Sequence, residues 1–193
     1  MSVKELQSQL AKLQGDDAPE GAKKSATQPP VHLWKPPVSG DIDIRIDREG
    51  RWFHEGDEIK RERLVKLFAS VLWEEQGEHY LVTPVEKWRI RVDVAPLLVV
   101  AAEREGQGAS ARIELTTSTG DVIALGDDHR LQVHADAQGN PVPLVNVRYS
   151  LNALINRNVF YQLAEWAEPA ASGDMGIWSN GEFFPLAEGE CSA

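Results

Sequence analysis

Three polar residues in YLVTPVEKWRIRVDVAP (residues 80–96) have the types and spacing to act on a ligand: the Thr83 hydroxyl, the Glu86 carboxylate and the Lys87 ammonium. From Lys87 on, the residues alternate. Trp88, Ile90, Val92 and Val94 fall on one side and Lys87, Arg89, Arg91 and Asp93 on the other, which is a strand with one apolar face. Counting back in twos places Glu86 on the apolar side. A buried carboxylate needs a partner, and a ligand hydroxyl, amine or base edge would supply one. The competing account is that Pro84 removes a backbone donor, bends the strand and resets the register, turning Glu86 toward solvent, Lys87 or a nearby arginine. The basic stripe Lys87, Arg89 and Arg91 is open to the same division. It is a solvated face answered by carboxylates of the next strand, or a phosphate contact suited to the forked donors of arginine.

A second polar line starts at Arg148 and runs into YSLNALINRNVFYQLAEWAE. Arg148, Asn152 and Asn156 recur every four residues, so on a helix they share one face, with Arg157 beside it. Asparagine is a poor helix former, so propensity does not select it there. These amides and guanidiniums either satisfy backbone groups of adjoining strands or line a cleft opposite TPVEK. Tyr161, four residues after Arg157, stacks on a base or fills the core, and core filling is the expectation.

Other chemistries find less support. His32, His54, His79, His129 and His134 are scattered, with no spacing suited to zinc, so no metal or cofactor is expected. There is no phosphate-cradling glycine loop followed by Lys and Ser or Thr, and no Gly-x-Ser-x-Gly. A hydrolase with Glu86 as general base is the weaker alternative because that carboxylate stands alone. No catalytic residue is assigned.

The elements that must carry these residues are bounded by composition. A chain of 193 residues makes one large domain or two small ones. A net charge of −10 argues against a dedicated nucleic-acid binder, yet leaves room for a basic pocket that holds a small anion. The single Cys191 precludes an intrachain disulfide and suits a reducing compartment. The polar N-terminus does not resemble a signal peptide, and the longest apolar run, residues 94–102, falls short of the ~20 residues of a membrane span. The expected location is the cytoplasm, without membrane attachment.

Along the chain, Val3, Leu6, Leu10 and Leu13 have helical spacing, and a Gly-, Pro- and charge-rich linker follows. Residues 1–30 are therefore expected as a flexible tail, or else as a tethered partner-binding helix. DIDIRIDREGRWF reads as a hairpin with its turn over residues 47–50. Leu64, Leu67, Phe68, Val71 and Leu72 predict a helix of about four turns that ends before Gly77. Short strands follow to residue 148, and then a long helix with Leu151, Leu154, Ile155, Val159 and Leu163 as its core stripe and Ser150 as its cap. GIWSNGEFFPL closes as a hairpin on Asn180-Gly181. Many short strands with close turns predict a bent antiparallel sheet or partial barrel. A slide of 89 residues lays Ile42 on Leu131, Ile44 on Val133, Asp47 on Asp136 and Gly50 on Gly139, which predicts a duplicated strand–turn–strand–helix unit with a cleft at the seam.

GDIDIRIDREGRWF, YLVTPVEKWRIRV, LNALINRNVFYQL and GIWSNGEFFPL together resemble the bacterial domain of unknown function 1285 family, over residues 34–186. The resemblance implies an α+β fold built by duplication, with a C-terminal half similar to pleckstrin-homology-like domains. It also implies a nucleotide-type ligand at the interface of the halves and a role in signal transduction. The chain departs from the pattern at DVAPL, where relatives read Glu-Asp-Ala-Pro-Phe. The expected organisation is a tail (1–30), an N-terminal half (31–96), a pleckstrin-homology-like C-terminal half (97–187) and a short tail (188–193). The expected function is binding of a small anionic, nucleotide-like ligand by Thr83, Glu86, Lys87, Arg148, Asn152, Asn156 and Arg157, reported to a signalling partner. A protein-interaction module is the alternative.

Overall fold

The strand predicted over GDIDIRI forms as β1 (Val38–Ile46), with Ile42, Ile44 and Ile46 buried and the intervening Asp and Arg outward. It belongs to a computed structural model that describes Ser8, residues 29–170 and residues 173–187. Apart from Ser8, the amphipathic segment over residues 3–14, the linker after it and the tail with Cys191 lie outside the described residues. The chain divides into two units, the first Met1–Asp47 with Arg51–Asp93, the second Arg48–Gly50 with Val94–Ala193.

In the first unit, β1 is followed by β2 (Trp52–His54), β3 (Asp57–Glu58), α1 (Glu62–Ala69), β4 (Leu72–Glu75), β5 (Glu78–Val82) and β6 (Lys87–Val92). They form one sheet in the order β3-β2-β1-β6-β5-β4, in which β1 and β6 run parallel and the other neighbours antiparallel. Phe68 of α1 is fully buried, its ring centroid 6.1 Å from that of Trp52. Burial of a side chain of that size contributes roughly 1.5–3 kcal/mol.

The helix is shorter than its periodicity predicted. Val71 and Leu72 are buried as expected, but Leu72 opens β4, outside the helix. Gln76 and Gly77 adopt φ of 56° and 80°, the left-handed pair of a type I′ hairpin turn. That turn pairs β4 with β5 and takes the residues that a 3.6-residue period had assigned to helix.

The second unit contains β7 (Leu97–Glu105), β8 (Arg112–Thr117), β9 (Val122–Ala124), β10 (Leu131–Ala135), β11 (Pro141–Arg148), β12 (Leu151–Ile155) and α2 (Arg157–Glu165). Its sheet runs β10-β11-β12-β7-β8-β9, again with one parallel pair, β12 beside β7. A three-stranded sheet of β13 (Glu168–Pro169), β14 (Met175–Ser179) and β15 (Glu182–Pro185) completes it. Asn180 and Gly181, at φ 52° and 82°, make the β14–β15 turn that the sequence predicted.

Among the described residues the architecture is thus mostly sheet with two α-helices, the sheets curled and a half-barrel among them. Both six-stranded sheets are mixed, which corrects the expectation of purely antiparallel ones. The two halves are similar: each joins two three-stranded meanders through parallel pairing of its first and last strands. They match in chain order, β1 with β7. The 89-residue slide instead set β1, central in its sheet, against β10, an edge strand.

The expected long helix from residue 149 is also corrected. Leu151, Leu154 and Ile155 are buried, but they sit in β12, hydrogen-bonded between β11 and β7. A strand buried on both faces reads as a continuous apolar run, and LNALI fits a helix stripe equally well. Asn156, not Ser150, caps the helix: its Oδ1 accepts the Val159 N–H at 2.8 Å.

Candidate functional site

Two turns of the same construction prepare the site. In residues 47–51, Asp47 N–H donates to the Arg51 carbonyl (3.0 Å), Arg51 N–H donates to Asp47 Oδ1 (2.9 Å), and Gly50 takes φ +74°. In residues 136–140, Asp136 N–H donates to the Asn140 carbonyl (2.9 Å), Asn140 N–H donates to Asp136 Oδ1 (2.9 Å), and Gly139 takes φ +79°. Each ends in the left-handed residue of a three-residue hairpin loop, which favours glycine. The sequence echo was real at these turns, although the strands around them are not equivalent. Asp136 is held below the usual carboxylate range chiefly by the Asn140 N–H, then by the Asn140 side chain, with the Gln138 N–H and the charge of Arg48 assisting.

Both turns line one cleft of about 630 Å³, formed by residues of the second unit. Arg48 and Glu49 come from the first turn, Asp136 and Asn140 from the second, and Asn156, Arg157 and Tyr161 from the start of α2. Leu98, Pro143, Leu154, Ile155 and Phe160 give it apolar wall. Gly50 is needed for close approach as well as for its φ, since a Cβ there would lie 2.9 Å from Leu98 Cβ. The cleft has the size of ordinary small-molecule sites.

Arg157 has a defined orientation. Its Nε–H donates to the Tyr161 hydroxyl at 2.7 Å, and its guanidinium carbon lies 5.4 Å from the Tyr161 ring centroid. Among the described residues it forms no ion pair. Tyr161 is half exposed at 51%, which corrects the expectation that it fills the core.

The seven residues expected to bind ligand are placed differently from one another. Asn156 and Arg157 reach the cleft. Arg148 lies on β11, where its Nη1 pairs with Asp121 Oδ1 at 2.5 Å. Asp121 Oδ2 in turn accepts the Thr117 and Thr119 hydroxyls at 3.0 and 2.9 Å. Asn152 lies on β12 and accepts the Asn146 amide at 3.3 Å. With a strand and a turn where a helix was expected, Arg148, Asn152 and Asn156 share no helix face.

Thr83, Glu86 and Lys87 belong to the first unit. Thr83–Glu86 is a tight corner: Thr83 N–H donates to the Glu86 carbonyl (2.8 Å), and the buried Thr83 hydroxyl accepts the Glu86 N–H (3.0 Å). The Glu86 carboxylate accepts the Trp88 indole N–H at 3.3 Å. Lys87 pairs with Glu75 and sits 4.8 Å from the Tyr80 ring centroid. Arg89 reaches Asp41 and Glu78 at 3.5 Å each, and Arg91 reaches Asp43 at 2.6 Å. The stripe is the carboxylate-answered sheet face that the sequence offered as its plainer reading.

Sequence reasoning missed Arg48, Asp136 and Asn140 as cleft residues. The signal that points to them is the repeated Asp-x-x-Gly, whose two copies are loops around one cavity.

Residues 29–95 match the family described as "Domain of unknown function (DUF1285), N-terminal domain", and residues 96–186 match its "C-terminal domain". Two solved structures are similar to this chain. A DUF1285 family protein from Silicibacter pomeroyi is 47% identical with a TM-score of 0.80, the match covering 85% of this chain and 90% of that one. A DUF1285 family protein from Shewanella baltica is 27% identical with a TM-score of 0.50, covering 63% of this chain and 90% of that one. No curated protein matches the chain.

Proposed function

We propose a function from one premise: this chain belongs to the DUF1285 family, for which the matched descriptions give no activity. Its second unit binds a small anionic ligand of nucleotide type in the cleft beside Arg48 and Arg157, and reports occupancy to a signalling partner in the cytoplasm. The observation that carries this reading is Arg157. Among the described residues it forms no ion pair and is held by a neutral phenol, whereas each cation of the β6 stripe has a carboxylate partner.

Three features support it. Asn156 and Arg157 stand at the positive end of the α2 dipole, which favours negative charge. Phe160 and the half-exposed Tyr161 offer aromatic faces for a planar group. Leu98 and Pro143 supply apolar contact for the body of a ligand while the arginines take its charge. A curled strand series followed by α2 also supports reading the second unit as pleckstrin-homology-like.

The test is a thermal-shift titration of the full chain with nucleoside mono-, di- and triphosphates, repeated with Arg157→Ala. Ligand that binds only the native state raises its stability by mass action. A concentration-dependent rise in the wild type, absent from a folded Arg157→Ala, is expected. No rise with any of these anions in the wild type would overturn the proposal.

A further inference from the structure

We propose that Tyr161 is a positioning residue that fixes which edge of Arg157 meets the ligand, and thereby restricts the ligand's charged group to an oxyanion with two coplanar terminal oxygens. This rests on the anion-binding reading above and adds to it the geometry of the recognised group.

A guanidinium has five N–H donors in a rigid plane and two edges that can hold an oxyanion bidentately. One is the side edge, made by Nε–H and a neighbouring Nη–H; the other is the end edge, made by the two Nη groups. The Tyr161 hydroxyl occupies Nε–H at 2.7 Å, which closes the side edge. The end edge has no protein partner among the described residues. Arg157 and Tyr161 are one helical turn apart on α2, so the helix backbone sets their spacing. At 5.4 Å from the ring centroid the cation–π contact is near its outer limit, and the hydrogen bond is the contact that sets orientation.

An end edge presented this way suits two parallel N–H···O bonds to a carboxylate or a phosphate. It gives no such advantage to a spherical anion. Arg48, on the turn across the cleft, adds charge without that geometry.

The experiment uses the full chain with inorganic phosphate, benzoate and iodide as probes. Affinity is measured by calorimetry, and the Arg157 Nε–H is followed by NMR. In the wild type the Nε–H signal is expected to be protected from exchange and to stay so on titration, with phosphate or benzoate bound and iodide much weaker. Tyr161→Phe is expected to lose that protection and about tenfold in affinity, the size of one charge-assisted contact, with an unchanged melting temperature. Arg157→Lys keeps the charge and loses the fork, and is expected to bind at least as weakly. Phosphate and benzoate together distinguish a phosphorylated ligand from a carboxylic acid. If Arg157→Ala abolishes binding while Tyr161→Phe and Arg157→Lys bind within twofold of wild type, the positioning role is overturned and the anion site stands. If the wild type binds none of the three probes, both fall.

Discussion

The stripe on β6 and the cleft beside α2 each present arginines, and they differ in what answers them. On β6, strands on both sides bring carboxylates: Asp41 and Asp43 from β1, Glu78 from β5, with Glu75 of β4 for Lys87. In the cleft, Arg157 is held by a phenol, which orients it without neutralising it. Density of positive charge along a sequence therefore says little about anion binding. What matters is whether the neighbouring element carries the opposite charge, and that is a property of the pairing register.

Four substitutions break or sharpen this contrast. Arg148 is the extreme answered case, since both it and Asp121 are about nine-tenths buried. Arg148→Ala removes the Arg148 charge from beside the buried Asp121 carboxylate and is expected to cost about 3 kcal/mol in urea unfolding. A loss below ~1 kcal/mol would mean that the Thr117 and Thr119 hydroxyls suffice for that carboxylate.

The two equivalent turns give the middle effect. Gly139→Ala meets no atom within 4 Å and is expected to cost about 1 kcal/mol, from its left-handed φ alone. Gly50→Ala adds a close contact with Leu98 and is expected to cost at least about 1 kcal/mol more, and to weaken anion binding by moving Arg48. Equal losses at the two positions would show that the approach to Leu98 relaxes freely.

The smallest change is expected on the stripe. Arg91 and Asp43 are both largely exposed, so Arg91→Ala should shift stability by no more than about 0.5 kcal/mol and leave anion binding unchanged. A stripe variant that lost anion affinity would erase the distinction between the two regions.

What was legible in the sequence follows from how local each signal is. The hairpin on Asn180-Gly181 and the alternation of β1 depend on neighbours in the chain, and they form as read. LNALI does not carry its own answer. Its apolar spacing suits a helix, and the strand is imposed by β11 and β7 on either side, the latter about fifty residues away. Correct core residues were thus assigned to the wrong element, and Arg148, Asn152 and Asn156 went with them. Arg157 reaches the cleft, while its holder Tyr161 is half exposed and not in the core, because the exposure of an aromatic depends on tertiary placement. The Thr83–Glu86 corner was half legible: Pro84 signalled the break, but the capture of the Glu86 carboxylate by Trp88 was not written in the spacing.

The parallel pairing of first and last strands bears on how each unit assembles. Val38 meets Lys87, and Leu97 meets Ala153, so neither six-stranded sheet closes until nearly all of its sequence is available. Each three-stranded meander can form early from local contacts, but joining two of them requires a long loop to close first, a step that slows folding. During synthesis the first meander of each unit waits with the edge of its central strand unpaired, the kind of edge that recruits other chains.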